Sequence, residues 1–210
     1  MQTVLCYGDS NTYGYSPVDG ERWSKGIRWT GILKDLLGAD YEVIEEGCNG
    51  RTTILEVPSD VWKNGLTYLK PCLNSHKPID YFVMMLGTND LKFQFGVGAK
   101  EVAKGAETLV EEVKDFSDSK NVKLPKIILI SPPYIGEGIC QSPFGNDFDE
   151  KSVIESKKFA KYYEEVANRQ GCIFVDAAKA VMPSLEDSLH LMPSEHKKLA
   201  HKIYEVIKSN

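Results

Sequence analysis

The sequence has no long apolar run. None approaches the roughly 18 residues of a membrane span, so no membrane partner is expected. It also lacks basic excess: 25 Lys and Arg face 30 Asp and Glu, for a formal net charge of −5. Non-specific nucleic-acid binding needs a positive surface, so nucleic acid is not an expected partner. Paired cysteines are missing too. The five (Cys6, Cys48, Cys72, Cys140, Cys172) are scattered, and no two form a C-x-x-C. Reduced thiols are the expectation, and no metal site, since zinc ligands usually come in tight pairs. The histidines form no H-E-x-x-H. There is no Walker A loop, no lipase-type G-x-S-x-G elbow and no complete G-x-G-x-x-G; Gly96-Val97-Gly98 lacks its third glycine. No charged-then-apolar signal segment opens the chain, so a cytoplasmic protein is expected.

What remains is an ordinary globular composition, 42% hydrophobic and 26% charged, long enough to bury one large core. With no repeat and no low-complexity linker, residues 1–210 read as one domain. Apolar β-rich runs alternate with helical patterns. Strands are expected at Thr3–Tyr7, Tyr41–Glu45, Ile79–Leu86, Lys126–Ser131 and Ile173–Val175. Helices are expected at Arg28–Leu37, Val61–Leu69, Ala99–Phe116, Lys151–Gln170 and Glu195–Ser209, the last with Ser194 as its N-cap. Continuous apolar strands such as Tyr81–Leu86 are buried on both faces, which predicts a parallel sheet covered by helices on each side. In such sheets ligands bind at the carboxyl ends of the strands.

Small or polar residues follow each strand: Gly8-Asp9-Ser10-Asn11, then Gly47-Cys48-Asn49-Gly50-Arg51-Thr52-Thr53, Gly87-Thr88-Asn89-Asp90, Ser131-Pro132-Pro133 and, beyond the fifth, Asp187-Ser188-Leu189-His190. Each alone is an ordinary turn. Ser10 can cap a helix, take part in a phosphate cradle, or act as a nucleophile if a base and an orienting acid reach it. Asp187 can hold the Nδ1 of His190 from three residues away and leave Nε2 as that base. Alone, that pair reads as loop and surface residues. A developing oxyanion needs donors, and the Ser10 N–H, the Gly50 N–H and the Asn89 carboxamide are candidates. A turn asparagine bonding its own backbone is the simpler reading of Asn89 alone.

Together, and in this order, GDSN, GCNGRTT, GTND and DSLH resemble the SGNH hydrolases, also called the GDSL family. The resemblance runs from residue 7 to residue 190. It implies a three-layer α/β/α sandwich around a parallel, flavodoxin-like five-stranded sheet. It also implies Ser10 as nucleophile, His190 as base, Asp187 as triad acid, an oxyanion hole from Ser10, Gly50 and Asn89, and no metal or cofactor. Asn11 stands where the family motif has leucine, which leaves acyl preference open. LCYGDSNTYGY, RWTGIL, VIEEGCNGRTT and MLGTND are similar to the small arylesterase and acyltransferase branch. That branch acts on short acyl esters and frequently forms homo-oligomers, so a small ester substrate and self-assembly are expected.

Asn11, Tyr15, Arg51, Phe93, Phe144 and Leu189 are the candidate pocket residues. Arg51 has a structural alternative, pairing with a carboxylate, and Asp9 and Asp90 read as loop-shaping groups. The aromatic segment Tyr13–Trp29 is either a binding wall, a subunit contact or a loop anchored in the core. The expected activity is hydrolysis or transfer of short acyl groups, with deacetylation of carbohydrates as the alternative. A thioesterase or phospholipid activity is a weaker reading. A non-catalytic binding module is disfavoured because every catalytic position is filled.

Overall fold

In the computed structural model, which describes residues 1–210, the strands are β1 (Gln2–Gly8), β2 (Tyr41–Gly47), β3 (Tyr81–Met85), β4 (Lys126–Ser131) and β5 (Ile173–Asp176). All neighbours pair in parallel, in the order β2-β1-β3-β4-β5. The expected three-layer arrangement around a parallel five-stranded sheet is therefore the one observed. The helices are α1 (Ser10–Tyr13), α2 (Trp29–Leu37), α3 (Gly65–His76), α4 (Ala99–Ser119), α5 (Glu150–Ser156), α6 (Phe159–Gln170) and α7 (Pro193–Ser209). No helix is long and apolar enough to cross a membrane.

Successive strand side chains point to opposite faces, so each central strand feeds two cores. Leu5, Tyr7, Phe82, Met84 and Leu129 face α3, α4 and α6, where Leu73, Val110, Val113 and Val166 meet them. Val4, Cys6, Val83, Met85, Ile128 and Ile130 face α2 and α7, where Leu33, Leu199 and Ile203 meet them. Each fully buried large apolar side chain contributes about 1.5–3 kcal/mol relative to leaving it in water. This two-sided burial is why the strands read as continuous apolar runs.

The chain leaves β1 towards β2 on one side and later returns to β3 on the other. The strand order thus reverses at the tip of β1, the crevice where open α/β sheets hold ligands. Gly47, at the end of β2, lets α1 fold tightly over this rim. A Cβ there would lie 2.1 Å from the Tyr13 nitrogen, so any larger residue displaces the turn that starts at Ser10.

Several element ends shift by one to three residues from expectation, and three expectations differ in kind. The Val61–Leu69 helix is a 3-10 turn over Val61–Lys63, followed by α3. The break is Asn64, whose Oδ1 accepts from the Leu66 and Thr67 N–H groups and so starts a new helix. Lys151–Gln170 is two helices. At Lys157 and Lys158 ψ opens to −13° and −7°, which interrupts the helical ladder while keeping residues near helical φ. Ser156 Oγ there also accepts from the Ile135 N–H, a partner no local pattern predicts. Finally, Ser194 is not an N-cap. α7 starts at Pro193, which needs no donor at N1, and Ser194 Oγ donates to Glu195.

Candidate active site

β1 ends at Gly8, and the Asp9 carboxylate accepts from the Asn11 N–H at 3.0 Å, capping α1. That cap fixes Ser10 as the first helical residue, at the rim of the sheet. Its Oγ lies 2.9 Å from His190 Nε2. His190 Nδ1 lies 2.5 Å from Asp187 Oδ2. Asp187 Oδ1 accepts from Ser184 Oγ and from the Leu189 and His190 N–H groups at 2.8–2.9 Å. Burial raises the Asp187 pKa, but the hydrogen bond and charge of His190 and the two N–H bonds outweigh it, so the carboxyl stays below its usual range. An ionised Asp187 makes Nδ1 the protonated nitrogen and turns Nε2 into an acceptor for the Ser10 hydroxyl.

The loop carrying His190 is tightly held. Ser188 takes a left-handed φ of 60°, the Ser184 N–H donates to the His190 carbonyl at 2.8 Å, and the Gly136 N–H donates to the Ser188 carbonyl at 2.7 Å. The Tyr15 ring lies 4.3 Å from the imidazole centroid, and Phe144 meets it edge-on at 5.2 Å. His190 is thus buried between aromatic rings, with its rotation blocked.

Donors converge on the same spot. Gly50 has φ +77°, a conformation that suits glycine, and its N–H has no intramolecular acceptor. Asn89 Nδ2 donates one hydrogen to the Arg51 carbonyl at 3.2 Å, which leaves its second free. Ser10, Gly50, Asn89 and His190 all open onto one cavity of about 80 Å³. That is far below the roughly 300–1,000 Å³ of sites for drug-sized ligands. Tyr15, Phe144, Phe148 and Leu189 form its apolar walls, and Asn49 and Lys92 its polar side.

Of the six candidate pocket residues, Tyr15, Phe144 and Leu189 line this cavity; the other three do not. Asn11 is a strut. Its Oδ1 accepts from the Leu191 N–H at 3.1 Å and its Nδ2 donates to the Leu189 carbonyl at 3.4 Å, which ties the Ser10 turn to the His190 loop. Arg51 is buried beneath the rim, where it donates to the Gly8 and Glu46 carbonyls and stacks 4.3 Å from the Tyr7 ring. Its partners are backbone carbonyls, not the carboxylate expected. Phe93 is 53% exposed and borders a separate groove beside Lys92. Asn49, Lys92 and Phe148 were not singled out from sequence. Asn49 and Lys92 sit within three residues of motif positions, a usable signal; Phe148 carries none.

Two acids lie buried under the site. Asp90 accepts from the Thr53 N–H at 2.9 Å and from its hydroxyl, clamping the Gly50 loop to the end of β3. Burial pushes the Asp90 pKa up to about 7, against the Thr53 bonds and with the Asp9 charge adding to the rise. Burial likewise takes Asp9 up to about 6, opposed by the Asn11 N–H bond. Both are loop-shaping groups, as read from sequence.

Two outcomes follow for the positioning network. Asn11→Ala leaves the buried Leu191 N–H without its acceptor, which costs about 1–3 kcal/mol. Urea unfolding is expected to show a lower midpoint with unchanged slope; an unchanged midpoint contradicts the strut. For Asp90, a folded pKa near 7 lies above the unfolded value of 3.8, so ionisation penalises the folded state. Its destabilising effect is absent below about pH 4, grows as pH rises through about 7, and is constant above. Unfolding free energies measured from pH 4 to 8 are expected to fall less steeply in Asp90→Asn than in the wild type; parallel curves contradict the assignment.

Comparison with known proteins identifies the family. Residues 6–198 match the model of the GDSL-like lipase/acylhydrolase family. A search of curated proteins finds no significant match. Among solved structures, the native M. smegmatis aryl esterase is 34% identical with a TM-score of 0.93, covering 100% of this chain and 99% of its own. Est24, a carbohydrate acetylesterase from Sinorhizobium meliloti, is 32% identical with a TM-score of 0.93 and the same coverage. A lipolytic G-D-S-L family member from Veillonella parvula, at 15% identity and a TM-score of 0.72 over 100% of both chains, shares the fold alone. A match across nearly the whole chain, joined to relatives above 30% identity, places this protein in the GDSL-like lipase/acylhydrolase family, the SGNH ester hydrolases.

Proposed function

We propose that this chain is a serine esterase that hydrolyses or transfers short acyl groups, above all acetyl, from small carboxylic esters. The observation that supports this reading is the Asp187–His190–Ser10 row ending on a small cavity with free donors. In the proposed cycle Ser10 Oγ attacks the ester carbonyl and gives its proton to His190 Nε2. Asp187 stabilises the imidazolium without taking the proton. The Ser10 and Gly50 N–H groups and Asn89 Nδ2 bind the oxyanion. On collapse the C–O bond to the alcohol breaks, and Nε2 protonates the leaving oxygen. Water or a second alcohol then attacks the acyl-Ser10 carbonyl, passing its proton to Nε2; the bond from the acyl carbon to Oγ breaks and Nε2 returns the proton to Oγ, restoring the free serine. No metal or organic cofactor enters this cycle.

Four apolar side chains line this small cavity, which supports a short acyl group over long chains. The polar Asn49 and Lys92 side, and the likeness to a carbohydrate acetylesterase, support sugar acetates as the second reading for the alcohol. The homo-oligomer belongs to the same reading, and the exposed Val61, Trp62 and Phe93 suit a subunit contact.

The test is hydrolysis of 4-nitrophenyl acetate, butyrate and octanoate, with acetylated xylose and glucose in parallel. Activity is expected on acetate, falling steeply with chain length and lost in Ser10→Ala. Asn89→Ala is expected to lower kcat about 10²–10³-fold, the usual effect of removing one oxyanion donor. Ser10→Ala as active as the wild type overturns the nucleophile, and octanoate preferred over acetate overturns the short-acyl assignment.

A further inference from the structure

Near the carboxyl end of β2, on the side of the sheet covered by α3, three side chains of metal-binding type converge. Cys72 and His76 stand four residues apart on α3 and so share one face of that helix. Glu46 reaches them from the strand. The Cys72 Sγ, a His76 ring nitrogen and a Glu46 carboxylate oxygen lie within 4.8 Å of one another. His76 Nε2 is already 2.8 Å from Glu46 Oε1. Donor atoms about 2.0–2.3 Å from a tetrahedral zinc sit roughly 3.3–3.8 Å apart, so shifts of an ångström or so convert this cluster into a coordination shell.

We propose that Glu46, Cys72 and His76 form a binding site for one zinc ion. The donor set decides the metal. A thiolate with an imidazole suits Zn²⁺ and excludes Mg²⁺ and Ca²⁺, which take oxygen ligands. On binding, the Cys72 thiol loses its proton to solvent and its sulfur lone pair forms the Zn–S bond. The proton that His76 Nε2 shares with Glu46 leaves Nε2, the neutral ring keeping its hydrogen on Nδ1; Nε2 then donates its lone pair, and the Glu46–His76 hydrogen bond is replaced by two metal bonds. Thiolate and carboxylate together balance the dication. Cys72 is buried, whereas the His76 and Glu46 side chains keep 27% and 19% of their surface exposed. That leaves an entry path and a place for water as the fourth ligand. Tyr68, one turn before Cys72 on the same helix face, places its hydroxyl 3.4 Å from Glu46 Oε1 and so orients the carboxylate from the second layer. The only cation found against the cluster is Arg51, whose guanidinium is held by the Gly8 and Glu46 carbonyls and two tyrosine rings.

The expectation of no metal site rested on the absence of paired cysteines. Here the pairing is between a strand end and a helix, and it forms only on folding. A metal at this point would clamp α3 to the strand end from which the Gly50 loop departs. It would act on stability, not on the ester chemistry.

The test uses the full-length chain stripped of metal by a chelator, titrated with Co²⁺ and then Zn²⁺. One Co²⁺ per chain is expected, with the near-ultraviolet absorption of a thiolate-to-cobalt transition that Zn²⁺ displaces. Zn²⁺ at about 100 times its dissociation constant is expected to raise Tm by about 5 °C or more. Cys72→Ser should abolish the thiolate band, and His76→Gln, at a half-exposed position that tolerates change, should weaken binding at least 10-fold. Cys48→Ser should leave the band unchanged. A folded wild type with no thiolate band, or a band that survives both Cys72→Ser and His76→Gln, overturns the site. Hydrolysis of 4-nitrophenyl acetate by metal-free His76→Gln reports separately on the ester reading.

Discussion

The hydrogen bond between Ser10 and His190 joins the first turn of the chain to the loop before its last helix. Everything else at the rim serves to keep that contact at 2.9 Å. The parallel sheet delivers Ser10 and Asn89 to neighbouring strand ends, and the strand-order reversal opens the crevice between them. His190 comes from a loop with no sheet pairing, so its position has to be enforced by side chains. Asn11 does this from the serine's side, Ser184 and Asp187 from within the loop, and Tyr15 and Phe144 by blocking ring rotation. An imidazole held this way keeps its orientation towards Ser10 with little loss of entropy.

Beneath the rim, the electrostatics are arranged without exposed charge. Arg51 spends its guanidinium on backbone carbonyls and two aromatic faces, which binds the ends of β1 and β2 together. Asp9 and Asp90 are buried deeply enough for burial to push their pKa values up to about 6 and 7. Asp187, close by, is instead held ionised by four donors. Environment thus separates acids of one chemical type into two that shape loops and one that holds an imidazole. The second buried histidine, His196, is pushed down to about 4 by burial and accepts the Trp29 N–H at the start of α2, a structural role.

The sheet, its direction and the four motif blocks were legible because they depend on local pattern. Continuous apolar strands and small polar residues at their ends are written in consecutive residues. Ser10, Gly50, Asn89, Asp187 and His190 could be named for the same reason. Asn11, Arg51 and Phe93 could not be placed, because where a side chain turns at a strand end depends on partners far away in sequence. Asn11 faces Leu191 and Leu189; Arg51 faces Gly8 and Tyr7. The split of Lys151–Gln170 was hidden because both residues at the break keep near-helical dihedrals. Phe148 and the Glu46–Cys72–His76 cluster join segments that no sequence pattern links.

We propose that this hydrogen-bonded row makes Ser10 a nucleophile. The direct measurement is covalent capture with diethyl 4-nitrophenyl phosphate, followed by intact mass and peptide mapping. One diethylphosphoryl group per chain is expected on Ser10, formed as one 4-nitrophenolate is released, and lost in His190→Ala. A label on another residue, or none on a chain that still hydrolyses 4-nitrophenyl acetate, would contradict it.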